Sequence, residues 1–248
     1  MIRSETAGRV ARVRFDRPDK KNAITAQMYL QLAEALAAAD ADREVRAILL
    51  HGSADCFTSG NDVGDFLERP PAGEGSPTWR LFEVMPSLSK PVVAAVGGPA
   101  VGIGATMLLH CDLVYAAPNA RFQLPFVPLG IVPEFGSTFL LPLLAGYQRA
   151  AELLLLGQPF TAQKAYEAGI VTAVVPQENL LQEAEKSAAA LAALPAESIR
   201  LTKRLMKARY RQTVAETIAE EGRIFRERLN SPEAKQALSA FLEKRKPR

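Results

Sequence analysis

Lys90-Pro91-Val92-Val93-Ala94-Ala95-Val96-Gly97-Gly98-Pro99-Ala100-Val101-Gly102-Ile103-Gly104-Ala105-Thr106 is the stretch from which the fold can be read. Val92 to Val96 form an unbroken apolar run bounded by turn residues, which predicts a strand buried on both faces, as in a parallel sheet. The glycine-proline turn after it leads into small residues that predict a helix leaving the turn. Gly97, Gly98, Gly102 and Gly104 let the backbone approach a ligand closely, and a helix start carries N–H groups without intrahelical partners. The dinucleotide fingerprint does not fit, because the position for its third glycine after Gly102-Ile103-Gly104 holds Met107. What remains is a turn whose backbone donors can face an anion or a polarised carbonyl.

Upstream, Arg9 to Phe15 alternate polar and apolar residues, predicting a half-exposed strand paired with Ile2-Arg3-Ser4 across Ala7-Gly8. Thr25 is placed to cap a helix in which Met28, Leu32 and Leu36 repeat at helical spacing. Arg46 to His51 predict a second, more buried strand. Phe57-Thr58-Ser59-Gly60-Asn61-Asp62 then forms a turn in a position resembling the one after Val96. Arg69 to Pro77 predict a mobile surface loop, followed by a helix from Thr78 to Leu88.

Downstream, Leu113 to Ala116 and Ala120 to Gln123 predict short strands, Phe135 to Leu144 and Tyr147 to Leu156 two helices, and Thr161 the cap of a third that stops at Gly169. Val171 to Val175 predict a last strand, and everything from Asn179 reads helical. There Thr213-Val214-Ala215-Glu216 has capping-box spacing and Ser231-Pro232 places proline at a first helical position. Strand–helix repeats followed by a helical tail define an α/β class. The expected division is a core over 1–195 and a helical region over 196–248.

The composition excludes several functions. Two cysteines, Cys56 and Cys111, are too few for a disulfide framework or a structural zinc site, and with two histidines a multi-histidine metal centre is not expected, so no metal is assigned. No apolar run is long enough to span a membrane, and the first residues lack a secretory apolar stretch, so the expected location is cytoplasmic. The net charge of +3 is uneven: from Ala196 onward 14 Lys and Arg face 7 Glu, leaving the tail at +7 and the preceding residues at −4. Such a tail suits nucleic acid, a phosphorylated small molecule or acidic surfaces of sister subunits. Aromatics do not alternate with the basic residues as a base-stacking platform requires, so nucleic acid is not expected as a partner.

Asp16-Arg17-Pro18 with Asn22-Ala23, Phe57 to Asp62, and Lys90 to Gly104 running on to Cys111-Asp112-Leu113-Val114-Tyr115-Ala116 together resemble the crotonase (enoyl-CoA hydratase/isomerase) superfamily. The ending, Ser231-Pro232-Glu233-Ala234 with Ala240 to Arg245, resembles that family too. The resemblance implies a spiral of strand-strand-helix turns with C-terminal helices that assemble homotrimers, often paired into hexamers. It implies an acyl-CoA thioester substrate, coenzyme A being part of the substrate and no other cofactor being required. It also implies an enolate held by two backbone N–H groups, here those of Asn61 and Ile103. Ser59, Gly60, Gly102, Lys21, Asn22 and Ala23 fall on stretches that border the coenzyme A moiety in the family. Arg17, Lys20 and the tail residues Lys244, Arg245 and Lys246 are further candidates for its phosphates, whereas Gly64 stands where relatives often carry a phosphate-binding lysine.

The departures from the family pattern bear on the reaction. Hydratases carry one glutamate in the helix after the glycine turn and another some twenty residues on; here those positions are Thr106 and Phe126, assigned instead to the acyl pocket. Neither can act as general acid or base toward water. Glu134, in Val132-Pro133-Glu134-Phe135-Gly136, resembles the lone catalytic glutamate of the Δ3,Δ2-enoyl-CoA isomerase branch. One base suits a 1,3 proton shift from C2 to C4, and the apolar neighbours Ile131, Val132 and Phe135 are expected to raise its pKa. Asp62 is read as tying down its turn. The alternatives are a lyase, hydrolase or hydratase using other groups such as Asp62, and a non-catalytic acyl-CoA binding protein.

Overall fold

The computed structural model describes residues 1–68 and 73–244, without the side chains of residues 67 and 241–244. Residues 69–72 of the predicted loop, and the tail candidates Lys244 (side chain), Arg245 and Lys246, therefore lie outside the described residues.

Among the described residues the strands are β1 (Ile2–Ala7), β2 (Val10–Phe15), β3 (Ala47–His51), β4 (Val92–Val96), β5 (Pro99–Val101), β6 (Leu113–Ala116), β7 (Arg121–Gln123), β8 (Phe160–Thr161) and β9 (Ala173–Val174). Six of them form one sheet in the order β1-β2-β3-β4-β6-β9, and the others form a second in the order β5-β7-β8. β1 and β2 are an antiparallel hairpin, and every later pairing in the large sheet is parallel. β4 lies between β3 and β6 with all five residues buried, as its unbroken apolar run requires.

The helices are α1 (Ala26–Ala41), α2 (Val63–Glu68), α3 (Pro77–Ser87), α4 (Ile103–Thr106), α5 (Ser137–Ala145), α6 (Tyr147–Ala151), α7 (Ala162–Glu167), α8 (Leu180–Ala193), α9 (Ala196–Ala208), α10 (Arg211–Leu229) and α11 (Pro232–Lys244). Met28, Leu32 and Leu36 of α1 pack with Leu81 and Met85 of α3 on the Ile48, Leu50 and Val92 side of the sheet. Ala184 and Ala188 of α8 cover the Leu49, Val93 and Ala95 side. Thr25 and Thr161 cap α1 and α7 by accepting from the Met28 and Lys164 N–H groups, and Pro232 opens α11.

Four local expectations need correction. Thr213 caps nothing: α10 begins at Arg211, so the residue lies within it, and its carbonyl accepts from the Thr217 hydroxyl. The helix predicted over Tyr147 to Leu156 turns π-helical at Glu152–Leu156. Pro99–Val101 is a strand, because its backbone pairs in parallel with β7. Gly97 and Gly98 serve packing within the chain, since a Cβ at either would lie 2.0 Å or less from the carbonyl oxygen of Ala54 or Asp55.

The helical tail closes against the core. Lys203 of α9, buried, donates to Asp112 Oδ2 and to the Lys90 carbonyl at 2.6 Å each, pinning α9 to the entrances of β4 and β6. Asp112 Oδ2 also accepts from Val92 N at 2.7 Å, so both charges are satisfied within the pair's surroundings.

Candidate active site

Two backbone turns meet above β4. Thr58 bridges Ala100, and a Cβ on Gly60 would lie 2.7 Å from the Val101 carbonyl oxygen, so the glycine is what lets the strands approach. Gly60 and Gly102 both have positive φ, at 86° and 55°, which favours glycine. Flanking amides are occupied: Gly60 N donates to Thr58 Oγ1, Asp62 N to the Ile24 carbonyl and Gly102 N to the Gln123 carbonyl. Among the described residues, the N–H groups of Asn61 and Ile103 have no such partner, the latter because it opens α4. Tyr29, in α1, donates from its hydroxyl to Asn61 Oδ1 at 2.6 Å and steadies the first turn from below.

These turns line a cavity of about 620 Å³ together with Lys21, Ser59, Phe126, Ile131 and Glu134. Phe225 of α10 and Leu238 of α11 complete its apolar wall, so the tail contributes to the site itself. Buried side-chain polar atoms with no hydrogen-bond partner among the described residues are Ser59 Oγ, Glu134 Oε1 and Ser137 Oγ. Two of these three belong to residues that line this one cavity, where a bound molecule can satisfy them.

Glu134 is only 5% exposed. Burial, reinforced by the charge of Glu221, raises its pKa to about 8. The segment carrying it is held in an unusual backbone conformation: Phe135 has φ of 63° and Gly136 of 72°. A left-handed phenylalanine costs roughly 1–3 kcal/mol and persists only where its surroundings impose it. Here the Phe135 ring stacks on Phe82 with centroids 4.2 Å apart and packs on His110 at 4.1 Å, while His110 Nε2 donates to the Phe135 carbonyl at 2.8 Å. Burial first, with help from the nearby Lys207 and Lys203, pushes His110 down to about 3, so it stays neutral.

Glu221, on α10, was not legible as a site residue. It accepts from Gly136 N at 2.6 Å, Thr138 N at 2.9 Å and Thr138 Oγ1 at 2.6 Å, holding the start of α5 in place. Its carboxyl is also raised, chiefly by burial, against these hydrogen bonds. Nothing in a run of helical glutamates distinguishes it, because its partners lie more than 80 residues away in sequence.

Several expected site residues stand elsewhere. Asn22 is buried beside the turn, donating to the Cys56 and Phe57 carbonyls and accepting from Arg17 N, and neither it nor Ala23 is among the cavity's lining residues. Thr106 is fully buried within α4 and does not line the cavity, so it is a packing residue and not a pocket wall. Arg17 is engaged with Asp62 Oδ2 at 2.7 Å and the Ala23 carbonyl at 2.9 Å. Although burial works against its charge, the bonds from Arg17 and the Asp65 backbone hold Asp62 below the usual carboxylate range, consistent with tying down its turn. Lys21 lines the cavity.

Among the described residues no helix is long and apolar enough to cross a membrane, and no three His, Cys, Asp or Glu side chains are grouped to hold a metal.

Comparison with known proteins agrees with this geometry. A family profile described as enoyl-CoA hydratase/isomerase matches residues 5–248. Enoyl-CoA delta isomerase 2 of Rattus norvegicus is 36% identical over 247 residues, 97% of this chain, which spans only 63% of that relative's length. The 2,3-dehydroadipyl-CoA hydratase of Escherichia coli K12 is 32% identical over 96% of this chain and 94% of its own. The structure of Pseudomonas aeruginosa OdaA superposes with a TM-score of 0.95 at 49% identity, covering 97% of this chain and 98% of that one. The α/β spiral with its helical tail, the paired glycine turns and the end-to-end family match make this chain a member of the enoyl-CoA hydratase/isomerase family, the crotonase superfamily.

Proposed function

We propose that the chain is an isomerase that moves the double bond of a 3-enoyl-CoA to the 2-trans position. The observation that carries this reading is Glu134, the one carboxyl among the described residues that line the cavity shared with the two unpartnered N–H groups. In the reaction, Glu134 takes a proton from C2 as negative charge develops on the thioester oxygen. The Asn61 and Ile103 N–H groups receive that charge, each donor of this kind lowering the barrier by roughly 3–4 kcal/mol. Glu134 then returns the proton at C4, so no second acid and no water are consumed. Lys21, Ser59, Gly60 and Gly102, which line the cavity, are assigned to border the thioester and coenzyme A portion, and the apolar wall from Phe126 to Leu238 to the acyl chain.

Phe126 lines the cavity where hydratases of the family carry a glutamate, and Thr106 stands buried at the other such position. Both points favour isomerisation over hydration. The test is conversion of 3-hexenoyl-CoA by the native protein and by Glu134→Gln. Loss of turnover in the variant is expected; full activity in the variant removes Glu134 from the mechanism.

The division into a core over 1–195 and a helical oligomerisation region over 196–248 is part of the same proposal, as is assembly into trimers or hexamers. Large apolar side chains exposed on α5, α6 and the π-helical turn, Leu143, Leu144, Tyr147, Leu155 and Leu156, support burial against another copy. Light scattering on the purified protein tests the assembly.

A further inference from the structure

A second cavity, of about 230 Å³, lies outside the site just described. Its apolar floor is formed by Leu88, Leu109, Leu140 and Val214, and its charged wall by α9 and the start of α10. Arg200, Lys203, Arg204, Lys207 and Arg211 all line it. Arg200, Lys203, Arg204 and Lys207 stand one to four residues apart on α9 and Arg211 opens α10, so five like charges that repel one another gather at one wall.

The anionic groups near this wall are few. Asp112 pairs with Lys203 at 2.6 Å, and Glu197 pairs with Arg200. Among the described residues Arg204, Lys207 and Arg211 make neither a hydrogen bond through their side chains nor an ion pair. Tyr210 and His110, both neutral, and the hydroxyl residues Ser87 and Ser89 complete the polar lining. Lys207 bears the consequence: burial first, then the charge of Lys203, push its pKa down, with Asp112 pulling the other way. Glu197 lies near Arg204 and Asp112 near Lys207, but among the described residues neither forms a hydrogen bond or ion pair with them, so three cations beside a partly apolar cavity keep their donors free for an anion.

We infer that this cavity binds a small phosphate dianion, carried on a compact apolar group, between Lys207, Arg204 and Arg211 with its apolar part on Leu109, Leu140 and Val214. A dianion suits the charge, since five cations line the wall and, among the described residues, only Asp112 and Glu197 stand against them. The volume holds a small ester and excludes a whole acyl-CoA, whose larger cavity lies elsewhere. The site also adjoins the catalytic segment: His110 lines it and donates to the carbonyl of Phe135, the residue after Glu134.

The probes are inorganic phosphate and phenyl phosphate, titrated calorimetrically into the full chain at constant ionic strength, with and without saturating acyl-CoA analogue. Saturable binding that persists with the analogue present is expected, phenyl phosphate binding more tightly than phosphate. Lys207→Gln and the more exposed Arg204→Gln are each expected to weaken it about tenfold, the loss of one charge-assisted hydrogen bond. Both variants are expected to keep the parent's melting temperature and its isomerase turnover. In nitrogen NMR, His110 is expected to shift on titration in the parent and to stay still in the variants. No saturable binding, displacement by the acyl-CoA analogue, or unchanged affinity in both variants overturns the inference. So does a change of oligomeric state in the variants without phosphate binding, which makes this face a contact between copies.

Discussion

Substituting Glu134 by Gln keeps the side chain's shape and removes its ability to ionise, so activity and stability should move in opposite directions. The ordinary carboxyl value is 4.5, and in the folded protein burial, then the Glu221 charge, raise it to about 8. Between those values the folded state holds a proton that the unfolded chain has released. Stability therefore falls as pH rises from about 4.5 to about 8 and levels off beyond. Below the lower value both states are protonated and the group costs nothing. Between about pH 5 and pH 9 the loss amounts to roughly 4 kcal/mol, at 1.36 kcal/mol per unit of pKa difference.

Glutamine is neutral in both states and escapes that loss. The variant's advantage over the parent should therefore widen by about 4 kcal/mol across this range, while every other titrating group cancels between the two proteins. Urea unfolding at fixed protein concentration, at pH values from 5 to 9, measures it. Turnover of 3-hexenoyl-CoA by the same samples should fall by roughly a hundredfold or more, the contribution of a positioned base. A stability difference that is flat with pH would refute the buried, proton-holding carboxyl.

The remaining expectations follow from the same geometry. The parent's kcat/KM should rise with pH and level off above about 8, because the proposed base is the ionised form of Glu134; a pH–rate profile without that ascending limb counts against it. Glu221→Gln removes the neighbouring negative charge, so the ascending limb should move to lower pH. The same change weakens three hydrogen bonds at the start of α5, lowering stability by about 1–3 kcal/mol in thermal or urea unfolding. Gly104→Ala sets a Cβ 2.6 Å from Thr58 Cγ2 and 3.2 Å from the Thr58 carbonyl oxygen, forcing the two turns apart; kcat should fall about a hundredfold with acyl-CoA affinity little changed. Asp62→Asn should retain isomerase turnover within about tenfold, since its carboxylate serves Arg17 and not the substrate; complete loss would return Asp62 to the list of bases.

Much of this was legible in the chain. Val92 to Val96 read as a doubly buried parallel strand because a run with no polar residue has no face to give to water, and β4 is that strand. Thr25, Thr161 and Pro232 carried their helix starts because capping is a local matter of one side chain and the next amides. Thr213 misled for the converse reason: capping-box spacing is satisfied by any Thr and Glu inside a longer helix, and α10 starts before it. Gly97 and Gly98 looked like ligand-facing glycines, but their neighbours, Ala54 and Asp55, come from a loop some forty residues earlier.

The same limit hid Glu221, Tyr29 and the left-handed turn at Phe135. Their roles come from residues brought together by the sheet, and no spacing announces them. Asn22 shows the inverse: a position carried over from the family as substrate-facing proves to be taken up by the carbonyls of Cys56 and Phe57.

The central claim is that one carboxyl, shielded from water, carries a proton from C2 to C4. It is tested most directly with 3-hexenoyl-CoA bearing deuterium at C2, turned over in ordinary water and read by NMR of the product. Shuttling by Glu134 predicts deuterium at C4 of the 2-hexenoyl-CoA formed. Product carrying only protium at C4 from the earliest turnovers would contradict it.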